Sequence, residues 1–136
     1  MAQETKQVTL TWREGMRFEG GVIGGPAAVV DGRGVAGPSP VVMLLIAAAG
    51  CTGSDVVSIL EKMRTPVESF SIEVAGVRRA EEPRRYVALH LVYRLTGQGL
   101  DAVKVRRAID LSLEKYCSVT HSLAADIAIT YDIALG

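Results

Sequence analysis

Between Pro40 and Pro66 the chain has no proline, and the first half of this stretch, Val41 to Ala49, is uninterrupted apolar sequence. Ser39-Pro40 stands in front of it. A Ser side chain accepts from free amides at a helix start, and Pro suits the first helical position, where no amide donor is required. The stretch therefore reads as one helix from Val41 to about Arg64, ended by Pro66. A helix that is apolar on all sides belongs in an interior, so this should be a long buried central helix. The apolar run itself is well short of the roughly 18 residues that a membrane-spanning helix needs.

Such a helix needs cover on more than one side, and 136 residues offer little of it. The length fits a single domain over 1–136, with no repeat, linker or low-complexity tract. Hydrophobic residues make up 49% of the chain and the mean hydropathy is +0.25. A small domain exposes much of its apolar inventory, so a second copy of the chain is expected to cover part of it. The 15 basic and 15 acidic residues cancel, and aromatics are only 5%. Neutrality removes any global attraction to nucleic acid or an anionic membrane, and scarce aromatics disfavour a base-stacking platform. The N-terminus lacks the basic start and apolar core of a signal peptide, so a cytoplasmic protein is expected. In a reducing compartment, two cysteines are either buried filler or redox chemistry.

Around the central helix the pattern is mostly that of strands. Val8, Leu10 and Trp12 alternate with polar neighbours, Glu14-Gly15 can turn the chain, and Met16 to Ile23 reads as a second strand. Ala27 to Val30 is a short third strand between two turn-rich segments. Ser69 to Val77 alternates, with Phe70, Ile72 and Val74 on one face. Tyr86 to Leu95 does the same, with Val87, Leu89, Leu91, Tyr93 and Leu95 together and His90 opposite. Asp101 can cap a second helix whose apolar stripe runs Val105, Ala108, Ile109, Ser112, Leu113 and Tyr116. Arg106, Arg107, Asp110 and Glu114 should face water. Ile127, Ile129, Tyr131 and Ile133 form a closing strand. The order predicts an α+β fold with antiparallel pairing.

Chemistry points to the cysteines. Cys51 lies in Ala47-Ala48-Ala49-Gly50-Cys51-Thr52-Gly53-Ser54-Asp55, where small residues let a ligand or another backbone come close. It is either a small hydrophobe in a tight helix or a reactive thiol. Reactivity needs thiolate, and Cys51 is about 16 Å along the helix from Pro40, beyond the reach of the helix dipole. A nearby cation would have to supply the field, and Arg suits that better than Lys. Cys117 has His121 one turn on. It either meets Cys51 in space, pairs with His121, or packs in the core. A metal site is disfavoured, because Cys51, Cys117, His90 and His121 lack ligand spacing such as C-x-x-C. No P-loop or G-x-S-x-G is present, and the Arg pairs at 78–79, 84–85 and 106–107 are flanked by acids.

The segment from Ser39-Pro40-Val41 through Ala49-Gly50-Cys51-Thr52-Gly53-Ser54-Asp55-Val56-Val57 resembles the central helix of the osmotically inducible protein C / organic hydroperoxide resistance family (OsmC/Ohr). Glu114-Lys115-Tyr116-Cys117-Ser118-Val119-Thr120-His121 resembles its second-cysteine segment. The resemblance covers nearly the whole chain and is nearer to the less characterised OsmC-like branch. It implies an intertwined homodimer, with sheets packed on a long central helix from each subunit. It implies a thiol peroxidase without cofactor or metal. Cys51 would attack an organic hydroperoxide, Cys117 would resolve the sulfenic acid to a disulfide, and a dithiol would reset the pair. Family peroxidases carry a Glu just after the Pro, paired with an Arg from the N-terminal strands. Here those positions are Val41 and Val42, and the Arg is expected to be Arg17 or Arg33. Loss of the Glu leaves an alternative: a dimer that binds a small apolar or thiol ligand with little or no peroxidase activity. A redox sensor is a third reading.

Overall fold

The structure, a computed structural model, describes residues 2–136. They form two compact units, 2–44 and 45–136. The first holds a three-stranded antiparallel sheet of β1 (Thr9–Glu14), β2 (Arg17–Gly21) and β3 (Ala28–Asp31), in that order. Gly15, at a φ of 53°, makes the β1–β2 turn, and Trp12 Nε1 donates to Gly15 O at 2.8 Å. β2 stops short of Ile23 because Gly25 N–H turns back to Val22 O. Asp31 is buried and closes the loop after β3, with its carboxylate accepting from Arg33 N and Ala36 N, each at 2.9 Å. Those backbone amides hold its carboxyl below the usual range, Ala36 foremost.

The long helix α1 runs Pro40–Lys62, and Ser39 Oγ accepts from Val42 N at its start. By length and composition alone it could cross a membrane. A soluble core helix passes the same test, and one face of α1 packs as such: Ala48, Thr52, Val56 and Leu60 are buried at a spacing of four. The expectation of burial on all sides fails within one chain. Val41, Val42, Leu44, Ile46 and Val57 remain exposed. Arg64, at a φ of 63°, ends the helix. Its N–H bonds Glu61 O, and Thr65 N–H bonds Leu60 O, the paired closure of a Schellman motif with Arg where Gly is usual.

In the second unit, β4 (Ser69–Arg78), β5 (Tyr86–Thr96) and β6 (Ala128–Leu135) form a sheet in sequence order. β4 and β5 are antiparallel, but β6 runs parallel to β5, correcting the antiparallel expectation. The physical reason is the connection. Three helical segments lie between β5 and β6, and such a crossover returns the chain in the same direction. Leu89, Leu91, Tyr93 and Leu95 fill the core as the alternation implies. Val87 does not join them. The register shifts between Val77 and Arg78, so Tyr86 turns inward in its place. The Tyr86 ring lies over Gly76, where a Cβ would stand 2.5 Å from Cε1.

α2 (Ala102–Leu111) is capped by Asp101, which accepts from Lys104 N at 2.8 Å. It buries Val105, Ala108 and Ile109. The chain then widens into a π-helical turn, Ser112–Tyr116, before α3 (Ser118–His121). The change of pitch rotates Tyr116 out of the stripe, and it is half exposed. Asp110 is not solvated as expected, since Tyr131 Oη donates to it at 2.7 Å. At the centre, fully buried Tyr93 lies 2.9 Å from Thr52 Oγ1, joining β5 to α1.

Two stability measurements follow from these contacts. Arg64→Gly should raise stability by about 0.5–1 kcal/mol in chemical denaturation, because Gly accepts the left-handed backbone without a Cβ clash. No gain would mean that the Arg64 side chain compensates. Burial pushes the Tyr93 phenol up to about 12 and, with Asp110, Tyr131 likewise. A raised native pKa gives stability that is full below the unfolded value of 10.0 and is lost as pH rises through about 12. Tyr93→Phe should therefore make the fall in stability between these pH values shallower, Tyr131 supplying what remains. At neutral pH it should cost about 1 kcal/mol for the lost hydrogen bond.

Candidate thiol site

Cys51 lies on α1 one residue before buried Thr52, and is half-buried. Cys117 leaves the π turn with extended backbone and is fully buried. Its N–H reaches back five residues to Ser112 O at 2.7 Å, and its carbonyl accepts from His121 N at 3.1 Å and Thr120 Oγ1 at 3.2 Å. The wide turn and these closures fix the point at which Cys117 faces α1. The two sulfurs and a carboxylate oxygen of Asp55 all lie within 4.8 Å of one another, and both thiols are free. A disulfide bond of about 2.05 Å would need an approach of under about 3 Å from there. Burial pushes the Cys117 thiol up, Thr120 offsets part of this, and Cys51 beside it adds to the rise.

The site is braced by a chain of hydroxyls. Ser112 Oγ is 2.8 Å from Thr52 Oγ1 and 2.8 Å from Asp55 Oδ2, and Thr52 Oγ1 is 2.9 Å from Tyr93 Oη. Each hydroxyl has one hydrogen, and an ionised carboxylate only accepts. The consistent direction is Tyr93 to Thr52, Thr52 to Ser112, and Ser112 to Asp55. Asp55, one helical turn after Cys51, joins the site although no motif marks it. Its signal was present in the i, i+4 spacing on α1.

The other candidates fall elsewhere. His121 Nε2 bonds Leu113 O at 2.9 Å, which disposes of the Cys117–His121 pair. His90 bonds Thr130 and Asp132 on the exposed side of its sheet. Of the four residues weighed for a metal, only the cysteines come together among the described residues, with Asp55 as the third group. Arg17 and Arg33 belong to the first unit. Arg17 Nε is buried and has no hydrogen-bond partner among the described residues, while an Nη is 3.9 Å from Glu19. Arg33 sits in the exposed loop that Asp31 closes. In the second unit, Arg107 and Lys62 line a cleft of about 520 Å³ that reaches Asp55. A second groove, of about 700 Å³, runs beside Gly50 and Gly53 and is walled by Ile46, Val57, Phe70 and Ile72.

Comparison with known proteins identifies the family and the fold. Residues 31–132 match the model of the family described as OsmC-like protein. Protein YhfA of Escherichia coli (strain K12) is 41% identical over 126 residues, covering 92% of this chain and 94% of that one. A hypothetical protein from Aquifex aeolicus has a TM-score of 0.84 at 27% identity, over 98% of this chain and 99% of that one. An organic hydroperoxide resistance protein OsmC from Legionella pneumophila has the same fold, with a TM-score of 0.67 at 13% identity over 98% and 99%. The structures thus share an α+β architecture, and the chain belongs to the OsmC-like family.

Proposed function

We propose that this protein is a thiol-dependent peroxidase that reduces organic hydroperoxides to alcohols, acting in the cytoplasm as a homodimer. The observation that carries the reading is the meeting of a half-buried and a fully buried thiol within 4.8 Å. The Cys51 thiolate attacks the distal peroxide oxygen. The O–O bond breaks, the alcohol leaves with a proton, and Cys51 becomes a sulfenic acid. Cys117 sulfur then attacks Cys51 sulfur, water leaves, and a disulfide forms. A small dithiol reduces it by exchange and is itself oxidised. The apolar walls of the groove favour an organic substituent on the peroxide. In this reading Arg17 or Arg33 supplies the cation that stabilises the thiolate. The Legionella protein is described as an organic hydroperoxide resistance protein and predicted redox protein, which supports redox chemistry on this fold.

The competing reading is a dimer that binds a small apolar or thiol ligand in that groove with little turnover. Val41 and Val42 favour it, since neither can orient an Arg as a carboxylate does.

With cumene hydroperoxide and a dithiol, Cys51→Ser should reduce turnover to background. With the dithiol left out, Cys117→Ser should give one equivalent of alcohol and a sulfenic acid trappable by a dimedone probe. Arg17→Ala or Arg33→Ala should lower kcat/KM by about 10–100-fold, and unchanged values in both would remove the Arg from the reading. Unchanged turnover in Cys51→Ser sinks the peroxidase, and wild-type turnover no better than free thiol leaves the binding reading. Light scattering at micromolar concentration should give twice the 14.5 kDa chain mass, and a monomer would remove the dimer.

A further inference from the structure

Asp55 takes no part in the peroxide chemistry above, yet it is held as firmly as the thiols. Its carboxylate oxygen is within 4.8 Å of both sulfurs, and Ser112 Oγ donates to the carboxylate at 2.8 Å. Two thiolates and a carboxylate at such range repel one another strongly outside bulk water. A divalent cation among them reverses that repulsion. We propose that in the reduced protein Cys51 Sγ, Cys117 Sγ and one oxygen of Asp55 form a three-ligand site for a divalent cation of the zinc class, leaving a fourth position for water.

The donor set selects the metal. Two thiolates and one carboxylate suit a borderline-soft, tetrahedral cation, whereas calcium and magnesium demand oxygen shells. Zinc bonds sulfur at about 2.3 Å and carboxylate oxygen at about 2.0–2.2 Å, which sets ligand atoms roughly 3.5–3.8 Å apart in a tetrahedron. Closing from separations of at most 4.8 Å takes about 1 Å, within side-chain rotation at half-buried Cys51 and Asp55. Ser112 is the outer-shell partner that ligating carboxylates ordinarily have. Cys51 and Asp55 come from adjacent turns of α1 and Cys117 from the end of the π turn, so the cation would tie these elements together. Binding exchanges two thiol protons for two metal–sulfur bonds, with no change of oxidation state. It holds the lone pairs that a peroxide or a disulfide would use, so metal-bound and disulfide forms exclude each other.

The test needs no peroxide, so it stands or falls apart from the proposed function. The full-length protein, reduced with a phosphine, freed of metal and verified to carry two titratable thiols, is titrated with Co(II). The expected result is one cobalt per chain, with sulfur-to-cobalt charge-transfer absorption, intense tetrahedral d–d bands and displacement by Zn(II). Cys51→Ala and Cys117→Ala should each lose tight binding. Asp55→Asn should keep thiolate charge transfer and bind about 10–100-fold more weakly, and Ser112→Ala about 10-fold more weakly. Disulfide-oxidised wild type should show no charge transfer. It replaces the Cys117→Ala control if that variant does not fold. Absence of charge transfer in the reduced wild type overturns the proposal. So does unchanged affinity in Asp55→Asn, or equal binding by the oxidised protein, which would place the metal elsewhere on the surface.

Discussion

The Ser112 hydroxyl is the point on which the second unit turns. It lies 2.8 Å from Thr52 on α1 and 2.8 Å from Asp55 a turn further along, and it opens the π turn that ends at Cys117. A buried hydroxyl without partners is costly, so Ser112 holds the helical arm against α1 at a defined height. Thr52 passes the same constraint to Tyr93 in the middle of β5. Helix, sheet and π turn are thereby joined by one directional chain that ends on a carboxylate. Apolar packing by Val56, Leu60, Leu91 and Ile109 supplies the bulk of the burial, but such packing tolerates small slips. Hydrogen bonds at these distances do not, and the backbone segments that carry the two cysteines inherit that restriction.

Two elements show how far the pattern of residues reveals the fold. Alternation in Tyr86 to Leu95 identifies a strand and four of its core residues, because period two is a local property. It puts Val87 inside, since the alternation does not reveal that Val87 is the extra residue opposite the Val77–Arg78 step. The stripe in Val105 to Leu113 is equally plain, and it fails at Tyr116 because a single i→i+5 turn changes the phase by more than one side chain can absorb. The parallel placement of β6 is likewise a consequence of how the three helical segments fold back, which periodicity does not encode.

The site was legible to the same degree. Cys51 and Cys117 are rare residues in small-residue or boundary settings, and they do meet. Asp55 was hidden because an acid on a long helix is ordinarily a solvated one, and only the approach of Ser112 from the second helical arm makes it part of a cluster. His121 misled for the opposite reason. One helical turn from Cys117 looks like a pair, but α3 is a single turn whose His bonds a carbonyl in the preceding arm. Distance along the chain predicts contact only while the helix stays regular.

The glycines flanking Cys51 separate what the chain needs for itself from what it needs for something else. A Cβ at Gly53 would stand 3.2 Å from Ile72 Cδ1, so the close seating of α1 on β4 accounts for its smallness. A Cβ at Gly50 would meet nothing within 4 Å among the described residues. Gly in a helix interior costs about 1 kcal/mol relative to Ala, and here no packing within the chain requires it. Gly50 opens instead onto the groove walled by Ile46, Val57, Phe70 and Ile72, beside a face of α1 where Leu44 and Ile46 remain uncovered. Part of the apolar surplus of the composition lies on that face, and part in the first unit, at Val8, Leu10, Trp12, Val22, Ile23 and Val35. The helix thus gives up stability to stay smooth next to a half-buried thiol, and the groove beside it keeps the space that a side chain at position 50 would take.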